Sequence, residues 1–194
     1  IDLHCYPNTQ KWIDCQGPYV EALEKYWGRA WQAKTEEEVV AEFKEFGIEA
    51  MLVALDLTTT IKTPPCDNNY VAGMRDRHDT IIQAWAAIEP ALGEAAIEEA
   101  KHAINDLNMI GFHFHPIMQH IRVDDKSFYP LWDEITQLKA PVMIDVGMTG
   151  LGDGIQAAGS DGQMRQRTPL MYASDKQQED AATLGVQDLV CLLY

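Results

Sequence analysis

Residues 109–147 read MIGFHFHPIMQHIRVDDKSFYPLWDEITQLKAPVMIDVG and contain one complete strand–helix–strand unit. The first and last parts, 109–116 and 140–147, are typical of strands with one apolar face and one face that carries titratable groups. Residues 127–139 between them carry large apolar side chains at helical spacing. A helix between two such strands predicts a parallel pair joined by a right-handed crossover.

The same alternation continues toward the N-terminus. We predict further strands over 1–6, 48–57 and 81–90, and helices over 18–34, 35–46, 69–78 and 93–107. The helix after Thr35 begins with a capping box, in which Thr35 and Glu38 accept each other's backbone amides. Five strands that alternate with helices indicate one parallel sheet. No GxGxxG or GxxxxGKS/T motif opens a helix, so nothing supports a nucleotide-binding doubly wound sheet.

Polar side chains share one face on three of these strands. Because side chains alternate along a strand, His4 lies with Tyr6, His113 lies with His115, and Asp145 faces away from the apolar side of its strand. In a β/α barrel, such groups gather at the carboxyl ends of the strands. Imidazole and carboxylate are ligands that Zn²⁺ or Mn²⁺ accepts. The alternative for each histidine is a hydrogen-bonded residue of the core.

Two further carboxyl groups end strands of the predicted sheet. Asp56 ends the second strand and Glu89 ends the third, so both are candidates to face the same edge.

Chain length limits how much of a barrel can form. A full barrel needs at least about 200 residues, whereas this chain has 194 and places five strands in its first 147. We therefore predict an α/β, TIM-barrel-like fold that is incomplete, with about five of eight β/α units over 1–154. Residues 155–194 form an atypical, irregular tail in this prediction, and 186–193 is its only strand candidate.

Composition narrows the function classes. The formal net charge of −15 disfavours nucleic acid and anionic membranes as partners, because both require a basic surface. The four cysteines form no CxxC pair and no dense framework. We therefore predict free thiols and a cytoplasmic location.

Five motifs occur in a fixed order along residues 1–154. They are IDLHCYP (1–7), PP with NNYVA (64–72), GFHFHP (111–116), DD with FYPL (124–131) and PVMIDVG (141–147). Together they resemble the amidohydrolase superfamily, in particular its amidohydrolase-related branch. That branch includes aminocarboxymuconate-semialdehyde decarboxylase and γ-resorcylate decarboxylase.

The resemblance implies a distorted (β/α)₈ barrel with one divalent metal ion, zinc or manganese. It also implies hydrolysis or non-oxidative decarboxylation of a small carboxylated, often aromatic, substrate. His4 matches the family's first metal ligand and Asp145 stands at its fifth-strand ligand, so we predict these two as metal ligands. His113 stands where the family usually has lysine and His115 matches its fourth-strand histidine, so we predict these two as catalytic acid/base groups, with further metal ligands as the alternative.

Three residues are predicted to bind the substrate. Tyr6 occupies the position of the family's second first-strand histidine. His120 and Arg122 follow the fourth strand, and arginine binds a carboxylate through two hydrogen bonds. The alternative for His120 and Arg122 is a solvated loop. We expect the small carboxylated substrate to be the main partner, together with further copies of the chain in a homo-oligomer.

The resemblance also bears on the tail. The family continues after the fifth strand with a GxGxPGG turn, where this chain reads GDGIQAAG over 152–159. A one-base shift of Pro-Gly-Gly codons gives Gln-Ala-Ala. We hypothesise that the reading frame shifts near Gly154 and that the tail is poorly ordered.

Two other interpretations stay open on the sequence alone. One is a truncated, catalytically inactive barrel fragment that self-associates, because an open sheet leaves an edge strand and an uncovered inner face. The other is a binding module for a small molecule that uses the mouth of the barrel without metal.

Overall fold

The computed structural model describes residues 1–147 and 188–193, and their strands form one sheet. The strands, in sheet order, are β1 (Asp2–Cys5), β2 (Ala50–Val53), β3 (Ile81–Ala87), β4 (Gly111–Phe114), β5 (Val142–Gly147) and β6 (Asp188–Leu193). β1 to β5 run parallel and curl into a half-barrel. This architecture confirms the predicted α/β fold class, an incomplete TIM-barrel-like fold.

Helices separate the parallel strands. They are α1 (Gln10–Gln16), α2 (Tyr19–Trp27), α3 (Glu36–Glu45), α4 (Asn68–Arg77), α5 (Glu94–Asn105), α6 (Pro116–Gln119) and α7 (Tyr129–Gln137). Single 3₁₀ turns at 90–92 and 126–128 precede α5 and α7. None of the helices in the described ranges has the length and apolar content needed to cross a bilayer.

The predicted capping box is present at the start of α3. The backbone N–H of Glu38 donates to Oγ1 of Thr35 at 3.2 Å, and the N–H of Thr35 donates to Oε2 of Glu38 at 2.8 Å. Local sequence therefore sets the beginning of this helix correctly.

The helix predicted over 18–34 is present only over 19–27, as α2, and the preceding helix α1 was not predicted. Gly17, between them, has a φ of 47°, and a Cβ at this position would lie 2.7 Å from Cγ2 of Thr63. Gly28 adopts the left-handed conformation and ends α2 one residue after Trp27. The turn at Gly28 therefore ends α2 before Trp31, although the aromatic residues continue at helical spacing.

The core fills the space between the sheet and its helices. Leu52 of β2 and Phe112 and Phe114 of β4 are completely buried. The ring of Phe114 packs edge-on against Trp132 of α7, with 5.0 Å between the ring centroids. This apolar layer holds β4 and β5 against α7 and so fixes the strand ends that carry the polar residues.

The side chains of β1 do not alternate regularly between the two faces of the sheet. The β1–β2 register shifts between Asp2 and Cys5, and Leu3 is 42 % exposed. The carbonyl of Leu3 accepts a hydrogen bond from Nε1 of Trp85 at 2.9 Å, across the intervening strand. An irregularity of this kind redirects side chains locally.

The predicted tail lies mostly outside the described residues. The strand candidate 186–193 is present as β6, and it pairs antiparallel with β5. The sequence at 152–159, on which the reading-frame hypothesis depends, lies outside the described residues.

Asn68, the first residue of α4, holds the end of β3. Its Oδ1 accepts the N–H of Ala87 at 2.8 Å, and its Nδ2 donates to the carbonyl of Ala87 at 2.9 Å. The same Nδ2 lies 2.6 Å from Oε1 of Glu99. Asn68 is buried, so its side chain takes the place of a neighbouring strand for Ala87.

We expect Asn68→Ala to lower the free energy of unfolding by about 2–4 kcal/mol, because it leaves two buried backbone groups without partners. Urea unfolding followed by circular dichroism measures this loss. The matched control is Asn69→Ala, which removes an exposed amide on the same helix turn and should cost no more than about 0.5 kcal/mol. Equal losses in the two variants would contradict the role given to Asn68.

Candidate metal centre

Three polar side chains from three strands meet at the carboxyl edge of the sheet. Nε2 of His4 lies 3.3 Å from Nε2 of His113 and 3.8 Å from Oδ1 of Asp145. Nε2 of His113 lies 3.4 Å from the same Oδ1. His113 is almost fully buried, and the other two side chains are mostly buried. The structure therefore brings together His4 from β1, His113 from β4 and Asp145 from β5.

The spacing of these three atoms fits a metal ion. The circle through them has a radius of about 2.0 Å, which is the length of Zn–N and Zn–O bonds. Two imidazole nitrogens that face each other at 3.3 Å require a proton or a cation between them. Oδ1 of Asp145 is buried and accepts no hydrogen bond within the described part of the chain. A cation between the three atoms would satisfy both requirements.

The electrostatics of the cluster favour the ligand forms of these groups. Burial lowers the pKa of His4 to about 4, and the neighbouring His113 adds to this effect while Asp145 opposes it. Burial alone would raise the pKa of Asp145, but the facing imidazoles of His113, His115 and His4 hold it well below its usual range. At neutral pH the cluster therefore offers a neutral imidazole on His4 and an ionised carboxylate on Asp145, the forms that bind a divalent cation.

His115 lies on the other side of the same carboxylate. Its Nε2 is 3.5 Å from Oδ2 of Asp145, whereas Oδ1 faces His4 and His113. His115 is also the N-cap residue of α6, and its Nδ1 accepts the backbone N–H of Met118 at 3.3 Å. The two oxygens of Asp145 thus have different neighbours.

Tyr6 lies beside this cluster. Its ring meets the His4 ring edge-on, with 5.1 Å between centroids, and stacks on the buried Trp12 of α1 at 4.9 Å. Trp12 lies on α1, a helix that was not predicted from the sequence, so its place beside Tyr6 was not predicted either. A 37 % exposed tyrosine next to the cluster has the placement of a substrate contact, and this role stays a prediction.

The other two predicted substrate-binding residues contact neighbours outside the cluster. Nε2 of His120 lies 3.2 Å from the hydroxyl of Tyr19. Arg122 donates two hydrogen bonds to Asp124, at 3.0 and 2.8 Å. The roles of His120 and Arg122 stay predictions.

Gln119 is a residue of the site region that sequence analysis missed. It is buried, accepts the N–H of His115 at 2.9 Å and donates to the carbonyl of Ile88 at 2.7 Å. No pattern in the sequence identifies such a link, because it depends on the approach of α6 to the end of β3.

A curled sheet of parallel strands, with imidazoles and a carboxylate at the carboxyl edge, defines an incomplete TIM-barrel-like α/β fold with a candidate metal site. The family model described as Amidohydrolase matches residues 1–175, and the chain belongs to the amidohydrolase family. The resemblance of the sequence motifs to this superfamily is therefore confirmed, and a hydrolase-type enzyme is supported. No curated protein matches the chain.

Glu89, beyond the end of β3, is a buried carboxyl group outside the cluster. Burial raises its pKa to about 7, which the charge of Asp56 reinforces and the amide of Ala91 and the charge of Lys62 oppose. Its Oε2 is buried and has no hydrogen-bond partner among the described residues. The protonated form of Glu89 is therefore stabilised by the folded state.

This raised pKa predicts a pH-dependent loss of stability. Glu89 contributes fully to the free energy of unfolding below its usual pKa of 4.5, and this contribution is lost as the pH rises through about 7. Between pH 4.5 and 8 the free energy of unfolding of the wild type should therefore fall by about 3 kcal/mol relative to that of Glu89→Gln. Each tenfold change in proton affinity corresponds to about 1.4 kcal/mol. Urea unfolding of both proteins across this range measures the difference.

The control for this series is Glu98→Gln on the exposed side of α5, which makes the same substitution away from the buried carboxyl group. A Glu89→Gln curve that is parallel to the wild type would show that Glu89 does not titrate in this range.

Proposed function

We propose that this chain is a metal-dependent amidohydrolase-related enzyme that hydrolyses or non-oxidatively decarboxylates a small carboxylated, often aromatic, compound. The observation that carries the proposal is the set of three ligand atoms on His4, His113 and Asp145, each separated from the other two by 3.3–3.8 Å. Membership of the amidohydrolase family supports the hydrolase-type chemistry. The choice of a decarboxylase-like branch rests on the motif resemblance alone.

In this proposal His4, His113 and Asp145 hold one zinc or manganese ion. The ion, when bound, supplies Lewis acidity at the mouth of the half-barrel. His113 was predicted as a catalytic residue, and its Nε2 faces the same point as the two predicted ligands, which favours a ligand role. Asp145 contributes one oxygen to the ion and keeps the other toward His115.

The substrate would approach from the exposed side of the cluster. The partly exposed ring of Tyr6 lies beside His4, and an aromatic ring of this kind suits an aromatic compound. Arg122 already binds a carboxylate, that of Asp124, through two hydrogen bonds, so a substrate carboxylate would compete with Asp124. His120 lies two residues before Arg122 and completes the proposed substrate-binding set.

The predicted compartment is part of the same proposal. Cys5, Cys15 and Cys66 are buried free thiols, as expected for a protein of a reducing cytoplasm.

We expect the purified chain to contain close to one zinc or manganese ion, and a chelator to lower its melting temperature by roughly 5–10 °C. His4→Ala and Asp145→Asn should each abolish stoichiometric metal and the chelator effect, because each removes one of three ligands. Elemental analysis and thermal unfolding on the same samples measure both. The control is His102→Ala on α5, which removes an exposed imidazole paired with Asp106.

A wild type that takes up no metal from excess Zn²⁺ or Mn²⁺ would refute the proposed function. Metal content that is unchanged in both His4→Ala and Asp145→Asn would refute the site.

Self-association of the chain is a separate proposal. β1 is the first strand of the described sheet, and Ile1 and Leu3 expose 77 % and 42 % of their surface there. An apolar strand at a sheet edge is a site for pairing with another copy.

We expect light scattering to give a mass above the monomer and Leu3→Lys to reduce it, with Ile82→Lys as the control on an interior strand. A monomeric wild type would contradict this proposal.

A further inference from the structure

The two carboxylate oxygens of Asp145 face different side chains. Oδ1 faces Nε2 of His4 and of His113, where the proposed cation would lie. Oδ2 faces Nε2 of His115 at 3.5 Å. Whether Oδ1 stays directed at the cation position therefore depends on what holds Oδ2.

The position of the proton on His115 follows from its other nitrogen. Nδ1 accepts the backbone N–H of Met118 at 3.3 Å, as the N-cap of α6, so it carries no proton. The proton of the ring is therefore on Nε2, the nitrogen that faces Oδ2 of Asp145. An N–H next to an ionised carboxylate oxygen is a favourable contact.

The backbone of His115 is also fixed. Its N–H donates to Oε1 of the buried Gln119, whose Nε2 donates to the carbonyl of Ile88 beyond β3. The ring is thus held at one end by α6 and at the backbone by a link to the neighbouring strand, which limits the directions in which Nε2 can point.

We propose that His115 is a positioning residue that holds Oδ2 of Asp145 through its Nε2–H, so that Oδ1 stays directed toward His4 and His113. This inference deepens the proposed function, on which it rests for the identity of the site. It differs from the catalytic role predicted from the sequence, because His115 acts through Asp145. Groups that orient a metal-binding carboxylate typically change metal affinity by 10–100-fold when they are removed.

The first test uses Zn²⁺ alone as the probe. His115→Asn keeps an acceptor suited to the N-cap of α6 but is too short to reach Asp145. We expect Zn²⁺ to bind about 10–100-fold more weakly to this variant by competition with a chelating dye, while the melting temperature of the metal-free protein changes little. His102→Asn makes the same substitution on α5 and should bind Zn²⁺ like the wild type.

Unchanged Zn²⁺ affinity in His115→Asn would overturn the positioning role, because capping alone would then account for His115. Co²⁺ spectra separate positioning from direct ligation. A positioning residue leaves the number of ligands unchanged, so the visible bands of the Co²⁺-loaded variant should keep their position and intensity. A change in both would identify His115 as a ligand and overturn the proposal.

The second test needs no metal. In the metal-free protein, ¹⁵N NMR of the His115 ring should show the proton on Nε2, and Asp145→Asn should shift that resonance more than the one from Nδ1. A proton on Nδ1 would overturn the inference. A wild type that binds no Zn²⁺ but shows the expected tautomer would refute the proposed metal site and leave the contact between His115 and Asp145 standing.

Discussion

The contact between the rings of His4 and His113 requires the sheet to curl. β1 and β4 are separated by β2 and β3, so a flat sheet would place them about 14 Å apart at a spacing of about 4.8 Å. The two Nε2 atoms nevertheless lie 3.3 Å from each other. Only a sheet that bends toward closure lets side chains from its first and fourth strands meet at the carboxyl edge, and the half-barrel supplies this bend.

The buried carboxylate of Asp145 is a second constraint on the carboxyl edge of the sheet, because its charge must be compensated there. A charge removed from water is stable only when opposite charge or hydrogen-bond donors replace its hydration. The imidazoles of His4, His113 and His115 surround it, and together they keep its pKa low despite burial. The strands therefore position these histidines around one anion, and a cation between them would complete the balance of charge.

Much of the fold follows from local patterns in the sequence. The capping box at Thr35 and the apolar stripe of α7 are local signals, and both appear where they were predicted. The helix predicted over 18–34 ends early because Gly28 adopts a left-handed conformation. The unpredicted turn at Gly17, between α1 and α2, lies against a distant residue, Thr63, which leaves no room for a Cβ.

In the candidate site, the sequence predicted which residues meet, whereas the orientation of their side chains depends on the fold. Strand alternation selected His4, His113, His115 and Asp145, but it could not distinguish the ring nitrogens or the two carboxylate oxygens. That distinction comes from α6, because the N–H of Met118 occupies Nδ1 of His115 and leaves Nε2 to face Asp145. A cation bound at Oδ1 would also join β1 to β4 and β5 across the open side of the half-barrel. Metal binding and sheet curvature would therefore stabilise each other, since the ligands come together only in the folded state.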